Sequence, residues 1–173
     1  MTVQPDSNLS GKTLPTSKVT PFRFEDFYRS RRNHLARALA ITLRSDDLGN
    51  EAADEAMTRA YQRWRTVREY ANPMGWLYRV GLNWARTRLR RQKREVPTPI
   101  PEQPVEDTRA FAPELEAALA EVSIDQRAVL VLRFYLDWDI DRVAQALEIP
   151  VGTVKSRQKR GLEAVERRLE VRR

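Results

Sequence analysis

The sequence contains no cysteine, which excludes a disulfide framework, a thiolate metal site and a cysteine nucleophile. Its single histidine, His34, has no serine or cysteine partner at a meaningful spacing, so we expect it at the surface or in a satisfied structural role. The adjacent carboxylates Asp46 and Asp47 fit a helix-turn cap better than a metal pair. An enzyme acting on nucleic acid would need a carboxylate cluster for metals or a nucleophile with a base, so we expect neither an enzyme nor a cofactor.

Long hydrophobic runs are also missing. No apolar run approaches the ~18 residues that a membrane-spanning helix requires. Residues 1–20 lack the apolar core of a signal peptide and are rich in proline, serine and threonine, so we predict a disordered N-terminal tail. From these features we expect a soluble, cytoplasmic protein.

The alternating pattern of a half-buried β-strand does not persist anywhere in the chain. Apolar residues recur instead at helical spacing, which predicts long helices at about 25–43, from about 50 to 67, and at 74–93. Asn72 and Pro73 give a strong start signal for the third helix. Three or four shorter helices are predicted after residue 113. The fold class is therefore all-α, with two small helical domains at 21–95 and 113–173.

The stretch between these domains, residues 96–112, combines several prolines with acidic residues and few apolar ones. Such a composition cannot bury a core, so we predict a flexible, extended linker.

A helix-turn-helix pattern occupies residues 139–160. Its first helix has one apolar side, formed by Val143, Ala144 and Leu147. Pro150 and Gly152 are predicted to end that helix and permit the turn, so that Gly152 or Thr153 begins the second helix. The second helix exposes basic and hydroxyl groups that fit a DNA major groove: Lys155, Ser156, Lys159 and Arg160. Two short helices around a turn are also common in helical bundles, and a basic helix face is often simply solvated.

The distribution of charge favours a polyanionic partner. The net charge is +7, but residues 1–95 carry nine more basic than acidic side chains, and residues 155–173 carry five more. Six cations lie among the nine residues from Arg86 to Arg94. Two separate basic segments are expected when a protein binds nucleic acid at two points. The aromatic residues just upstream, Trp76, Tyr78 and Trp84, suit stacking on unpaired bases, although the two tryptophans also fit the helix core.

Several motifs occur in an order and spacing typical of one family. In the first domain they are Phe24, Phe27 and Tyr28, residues 54–61 with Trp64, and residues 73–80 with Asn83, Arg90 and Arg91. In the second domain they are residues 126–133 and 151–157. With a proline-rich stretch between the two sets, the chain resembles a bacterial sigma factor of the extracytoplasmic-function (ECF) group of the sigma-70 family. The resemblance covers about residues 22–94 and 113–169.

The resemblance implies sigma region 2 and region 4 domains, RNA polymerase core and promoter DNA as partners, and a role in transcription initiation. The residues implied at the −35 element are Arg133, Thr153, Lys155, Ser156, Lys159 and Arg160, with Arg133 on a backbone phosphate. The loop before Pro73 would hold a flipped base of the −10 element, together with Trp76, Asn83, Arg86, Arg90 and Arg91. The clamp helices of the largest catalytic polymerase subunit would meet Glu51, Asp54, Glu55, Arg59 and Arg63.

The chain departs from the family pattern at two functional positions. Asp54 stands where the family usually has glutamine, and Thr87 stands where it has aspartate, so docking on the core and −10 preference are expected to differ in detail. An alternative interpretation is a stand-alone helix-turn-helix transcription regulator, which would bind a palindrome as a dimer. The sequence leaves open which promoters are recognised and whether an anti-sigma factor binds the chain.

Overall fold

The computed structural model describes residues 22–95 and 113–170, which form α-helices and one π-helical turn. No strand occurs in this part of the chain, and the all-α prediction is confirmed. The predicted tail and linker lie outside the described residues, so their disorder and flexibility stay predictions. The N-terminal lobe contains α1 (Phe24–Leu43), α2 (Asp46–Gln62), α3 (Trp64–Val67) and α4 (Pro73–Glu95). The C-terminal lobe contains α5 (Pro113–Ala120), α6 (Ile124–Leu130) with a π-helical turn (Val131–Tyr135), α7 (Ile140–Leu147) and α8 (Val151–Glu170).

The N-terminal lobe packs α1, α2 and α4 together. Gly49 permits the close approach of α1 and α2, because a Cβ atom added there would lie 2.5 Å from the backbone of Ala40. The turn between these helices is shorter than predicted: Asp46 and Asp47 are already inside α2, and Ser45 is the N-cap, accepting a hydrogen bond from the Leu48 amide at 3.2 Å. Acidic side chains in the first turn of a helix are favourable because they face its positive end.

Helix α4 begins as the sequence predicts. Pro73 is its first residue, and the Gly75 amide donates to Asn72 Oδ1 at 3.0 Å. Proline suits this position because its missing N–H would have no partner in the helix. The cap fixes the loop before Pro73, which is the loop predicted to hold a flipped base.

The turn of the helix-turn-helix forms differently from the prediction. Glu148, not Gly152, takes the left-handed conformation (φ 53°) that ends α7. The Ile149 amide then donates back to the Ala144 carbonyl at 3.1 Å, which satisfies a helix-end acceptor. Helix α8 starts at Val151, so Gly152 and Thr153 already lie in its first turn. The second helix is therefore longer at its start than the proline and glycine suggested.

The two lobes share one hydrophobic core. Helix α1 packs against α6 and the π-helical turn, and α4 packs against α7. Leu35, Leu39 and Leu77 of the N-terminal lobe belong to the same buried cluster as Val131 and Trp138 of the C-terminal lobe. The sequence predicted two lobes but not this contact between them. We call the packing of the two lobes against each other the closed arrangement.

Candidate nucleic-acid interface

The first turns of α8 present the predicted −35 residues on one exposed side. Lys155, Lys159 and Arg160 are exposed, while Ser156 is half-buried and donates to the Thr153 carbonyl at 3.1 Å. Val154, on the opposite side of the helix, is fully buried in the core. Spacings of three and four residues bring side chains to one face of a helix. The lobe thus orients a cationic, hydroxyl-bearing surface toward solvent.

Arg133 projects from the π-helical turn and is held within the C-terminal lobe. Its Nε donates to Gln158 Oε1 of α8 at 3.0 Å, and its Nη1 donates to the Trp138 carbonyl. A π-helical turn widens the backbone spiral locally, and such turns are frequent at functional sites. Arg133 therefore ties α8 to the preceding loop. Its predicted phosphate contact would have to use the remaining guanidinium donors or replace these bonds.

Three of the five predicted −10 residues lie on the exposed side of α4: Asn83, Arg90 and Arg91. Asn83 and Arg91 line one open groove of about 640 Å³ together with Arg59, Trp84, Thr87, Arg88 and Gln92. Arg88 covers the Trp84 ring at 5.5 Å from its centroid. Within the described residues the Asn83 amide side chain has no hydrogen-bond partner. The groove therefore offers an amide, cationic groups and an aromatic face to a ligand.

The other two predicted −10 residues face the C-terminal lobe. Arg86 forms an ion pair with Asp125, whose second oxygen also accepts from Arg157 Nη2 at 3.4 Å. Trp76 is half-buried and lines a smaller cleft with Asn72, Arg79, Ala146 and Glu148, among others. The structure thus separates the predicted −10 set into an exposed group and a covered group.

The predicted polymerase-binding residues lie along α2 and its end. Arg32 of α1 grips Asp54 with two hydrogen bonds of 2.9 Å, and Arg59 pairs with Glu55 at 2.7 Å. Glu51 pairs with Arg88 of α4 at 3.1 Å. Arg63 is exposed at the break between α2 and α3, which interrupts the single helix that the sequence predicted to run to Val67. At least one side chain of each pair is exposed, so each pair can be exchanged for a pair with a partner.

Sequence reasoning missed the residues that join the lobes, because their role depends on an interface that no helical periodicity reveals. The clearest is Arg127, a buried arginine of α6. Its Nε donates to the Thr42 carbonyl at the end of α1 (2.9 Å), and its Nη1 donates to the Leu119 and Val122 carbonyls (2.9 and 2.8 Å). One guanidinium therefore satisfies helix-end acceptors in both lobes. The signal in the sequence was an arginine directly before the apolar run of residues 128–132.

A buried hydroxyl pair lies close to this contact. The Thr42 hydroxyl donates to the Ala38 carbonyl at 2.9 Å, so the Tyr78 hydroxyl, 2.5 Å from Thr42 Oγ1, must be the donor between the two side chains. Burial raises the pKa of Tyr78 well above its usual range, and the Thr42 contact opposes this only in part. Tyr78 is therefore a neutral core residue, which excludes it as a stacking surface for a base.

Residues 22–95 and 113–170 contain neither a metal-binding cluster nor a membrane-spanning helix. No set of three or more histidine, aspartate or glutamate side chains is placed to hold a metal ion. No helix in these ranges has the length and apolar character needed to cross a membrane.

Comparisons with known proteins identify the family of this chain. Residues 113–165 match the family model described as sigma-70, region 4. The chain is 30% identical over 140 residues to the ECF RNA polymerase sigma factor SigM of Mycobacterium tuberculosis, covering 79% of this chain and 71% of SigM. It is 31% identical over 147 residues to the RNA polymerase sigma-E factor of Streptomyces coelicolor, covering 80% and 81%. The chain therefore belongs to the family of ECF RNA polymerase sigma factors.

A solved structure shares the fold. The sigma factor RpoE of Bartonella quintana, determined in complex with the anti-sigma factor NepR, matches with a TM-score of 0.70. The match covers 87% of this chain and 98% of RpoE at 19% identity, and at this identity it supports the fold alone.

Proposed function

We propose that this chain is a promoter-recognition sigma factor that binds the RNA polymerase core and directs transcription initiation. The observation that carries the proposal is the presence of two separate cationic faces, on α8 and on α4, in a chain of the ECF family. Each face alone would give a modest, salt-dependent affinity for DNA. A chain of this class has no catalytic centre of its own. It acts in the cytoplasm, where polymerase and promoter DNA are found.

Helix α8 is proposed to recognise the −35 duplex. Side chains near the start of a helix reach base edges when the helix enters the major groove. Thr153, Lys155, Ser156, Lys159 and Arg160 lie in the first three turns of α8, and Arg133 supports the helix from behind. Lys155 and Lys159 would contact phosphates, whereas Ser156 and Arg160 would contact bases.

Helix α4 is proposed to capture the opened −10 strand. The groove around Asn83 combines groups that suit an extruded base and the strand beside it: an amide with both donor and acceptor, an indole face and arginines. Arg90 and Arg91 would contact the backbone, and Trp76 and Arg86 would join them. Glu51, Asp54, Glu55, Arg59 and Arg63 are proposed to bind the clamp helices of the largest polymerase subunit. The fold neighbour was solved with an anti-sigma factor, so a protein of that class is a further candidate partner.

Reconstitution tests the proposal. Core polymerase free of other sigma factors should produce run-off transcripts when this protein is added, and selection from a random promoter library should return two conserved elements at a fixed spacing. Core polymerase alone is the control. A protein that neither binds the core nor confers promoter specificity, but sediments as a dimer and binds isolated duplex tightly, would be a stand-alone regulator and would overturn the proposal.

A further inference from the structure

The proposed core-binding surface contains a carboxylate whose charge the chain itself compensates. Asp54 of α2 is held by Arg32 of α1, a residue to which no pattern in the sequence gives a role. We propose that Arg32 and Asp54 form one neutral unit with hydrogen-bond donors and acceptors, and that the polymerase core binds this unit rather than a lone carboxylate. The inference rests on the proposed function, because it concerns how the same surface meets its partner.

The Arg32 side chain is held at three points. Its Nε donates to Asp54 Oδ1 and its Nη2 donates to Asp54 Oδ2, both at 2.9 Å, and its Nη1 donates to Asn50 Oδ1 at 2.9 Å. Asn50 is oriented in turn, because its Nδ2 donates to the Asp46 carbonyl at 2.9 Å. Two parallel N–H···O bonds fix the guanidinium and the carboxylate in one plane. Arg32 is therefore a defined part of the α2 surface, although it belongs to α1.

A partner can reach the pair from the carboxylate side. The Asp54 side chain is 54% exposed, whereas that of Arg32 is 21% exposed. Asn50, Asp54 and Thr58 follow one another at four-residue spacing on the exposed side of α2, and the Thr58 hydroxyl donates to the Asp54 carbonyl at 2.8 Å. A partner that packs along this row would meet the Asp54 carboxylate directly and the Arg32 guanidinium at its edge.

A lone carboxylate is poorly suited to a protein interface. It accepts hydrogen bonds but donates none, and its charge loses hydration when a partner covers it. The Arg32 guanidinium changes both properties, because it cancels the charge and places N–H donors beside the carboxylate oxygens. Each oxygen of Asp54 accepts one of the two parallel bonds and keeps a further lone pair, while Nη2 of Arg32 uses one of its two N–H groups for Oδ2.

The pair offers a partner what a side-chain amide offers. A glutamine side chain is neutral and has one acceptor oxygen and an NH₂ donor. The Arg32–Asp54 pair is also neutral, with acceptor lone pairs on the carboxylate and an N–H group beside them. Asp54 stands where the ECF family usually has glutamine. The geometry therefore accounts for this departure, since two residues supply the neutral polar group that one glutamine would supply.

The two other ion pairs of this surface are built differently. Arg59 contacts Glu55 of the same helix at 2.7 Å, and Arg88 contacts Glu51 at 3.1 Å, each through one nitrogen. Exposed pairs of this kind contribute little to stability, so a partner can replace them at small cost. Replacement of the Arg32–Asp54 pair would break three hydrogen bonds that join α1 to α2. A partner that adds its contacts to this pair is therefore favoured over one that displaces Arg32.

The affinity of sigma-free polymerase core for fluorescently labelled variants tests the inference. Arg32→Met leaves Asp54 without its cation, and the affinity should fall about tenfold or more, because an unpaired charge is then covered at the interface. Arg32→Met/Asp54→Gln replaces the neutral pair with a neutral amide and should restore most of the lost affinity. Arg31→Met is the matched control, because it removes the same charge from α1 at an exposed position beside Trp138 of the C-terminal lobe. It should leave the affinity unchanged.

The melting temperature separates partner recognition from stability. Arg32→Met and the double variant both lose the bonds between α1 and α2, so both should melt at the same lowered temperature. Recovery of core affinity in the double variant without recovery of the melting temperature supports the inference. A double variant that binds the core as weakly as Arg32→Met, or an Arg32→Met protein that binds like the wild type, overturns the inference alone. A wild-type protein that does not bind the core contradicts the proposed function, and the inference falls with it.

Discussion

The two cationic helices differ in how their charges are used. In α8 the proposed −35 residues Lys155, Lys159 and Arg160 face solvent, and Lys159 has only a loose i,i+4 contact with Glu163 (3.9 Å). In α4, by contrast, Arg86 is paired with a carboxylate of the other lobe and Trp76 is half-covered. One proposed DNA-binding face is therefore exposed in the closed arrangement, while the other is partly covered by the C-terminal lobe.

This difference matches the demands of the two steps. Recognition of a duplex requires a preformed surface, because the bases are read without disturbing their stack. Capture of an opened strand requires a flipped base, which costs a few kcal/mol. When DNA must compete with carboxylates of the same protein for the arginines of α4, unproductive binding to closed duplex is reduced before the base is flipped. Substitutions in each region test this difference.

The largest effect is expected at Asn83, in the exposed part of the α4 face. Asn83→Ala should keep the melting temperature and core binding, since its side chain has no partner within the described residues. It should lower strand opening by about tenfold or more, because a base pocket loses its donor and acceptor. Permanganate reactivity of the −10 thymines measures the opening, and a premelted bubble template should restore much of the transcription.

Gln92→Ala is the matched control for Asn83→Ala, because Gln92 is an amide that lines the same groove. It should leave opening unchanged. If Asn83→Ala lowers the melting temperature, or if opening persists without this amide, Asn83 is structural and the base pocket lies in the loop alone.

The next effect concerns α8. Arg160→Ala should cost on the order of 1–3 kcal/mol of discrimination at one base pair and should leave the melting temperature unchanged, because the side chain is exposed. Arg133→Ala should instead lower transcription from all promoters similarly. It should also lower the melting temperature, because Arg133 donates hydrogen bonds to Gln158 and to the Trp138 carbonyl. Transcription from single-base promoter variants measures both. Equal losses on every promoter for Arg160→Ala would make it a phosphate contact.

The sequence predicted what depends on local pattern. The order of the helices, the Asn72 cap and the exposed basic side of α8 follow from periodicity and capping chemistry, which act within a few residues. Helix ends were less predictable: the sequence analysis expected Pro150 and Gly152 to end α7, but Glu148 ends it in a left-handed conformation. The break at Arg63 was not predicted either, since aromatic residues continue the helical spacing across it.

The sequence did not predict what depends on the contact between the lobes. Asp125 and Arg86 lie 39 residues apart, and Arg127 and Thr42 lie 85 apart, so no local pattern links them. The basic cluster that begins at Arg86, together with the family resemblance, predicts that Arg86 contacts DNA, and that role stays a prediction. Its present partner is nevertheless a carboxylate that a single sequence cannot pair with it.

A smaller effect is expected when that carboxylate is neutralised. Asp125→Asn releases Arg86 and Arg157, one from each cationic helix. Affinity for nonspecific DNA should rise severalfold at low salt, and the slope of log K against log salt should steepen by about one for each arginine that gains a phosphate. Asp137→Asn changes the net charge equally at an exposed loop position and is the control. A slope identical to that of the control would mean that neither arginine is withheld by Asp125.

The smallest effect is expected from a substitution in the core of the N-terminal lobe, away from both proposed DNA-binding faces. Burial keeps Tyr78 neutral, with a pKa above the value of about 10 expected in the unfolded chain. Its contribution to the free energy of unfolding is therefore complete below pH 10 and falls as the pH rises above 10. Tyr78→Phe should lower the free energy of unfolding by about 1 kcal/mol near pH 8, because Thr42 loses its donor. Above pH 10 the free energy of unfolding of this variant should fall less steeply than that of the wild type. Urea unfolding from pH 8 to 11 measures both. Tyr61→Phe removes an exposed hydroxyl and is the control; its stability should follow that of the wild type at every pH. If the stability of Tyr78→Phe falls above pH 10 as steeply as that of the wild type, another group is responsible for the titration.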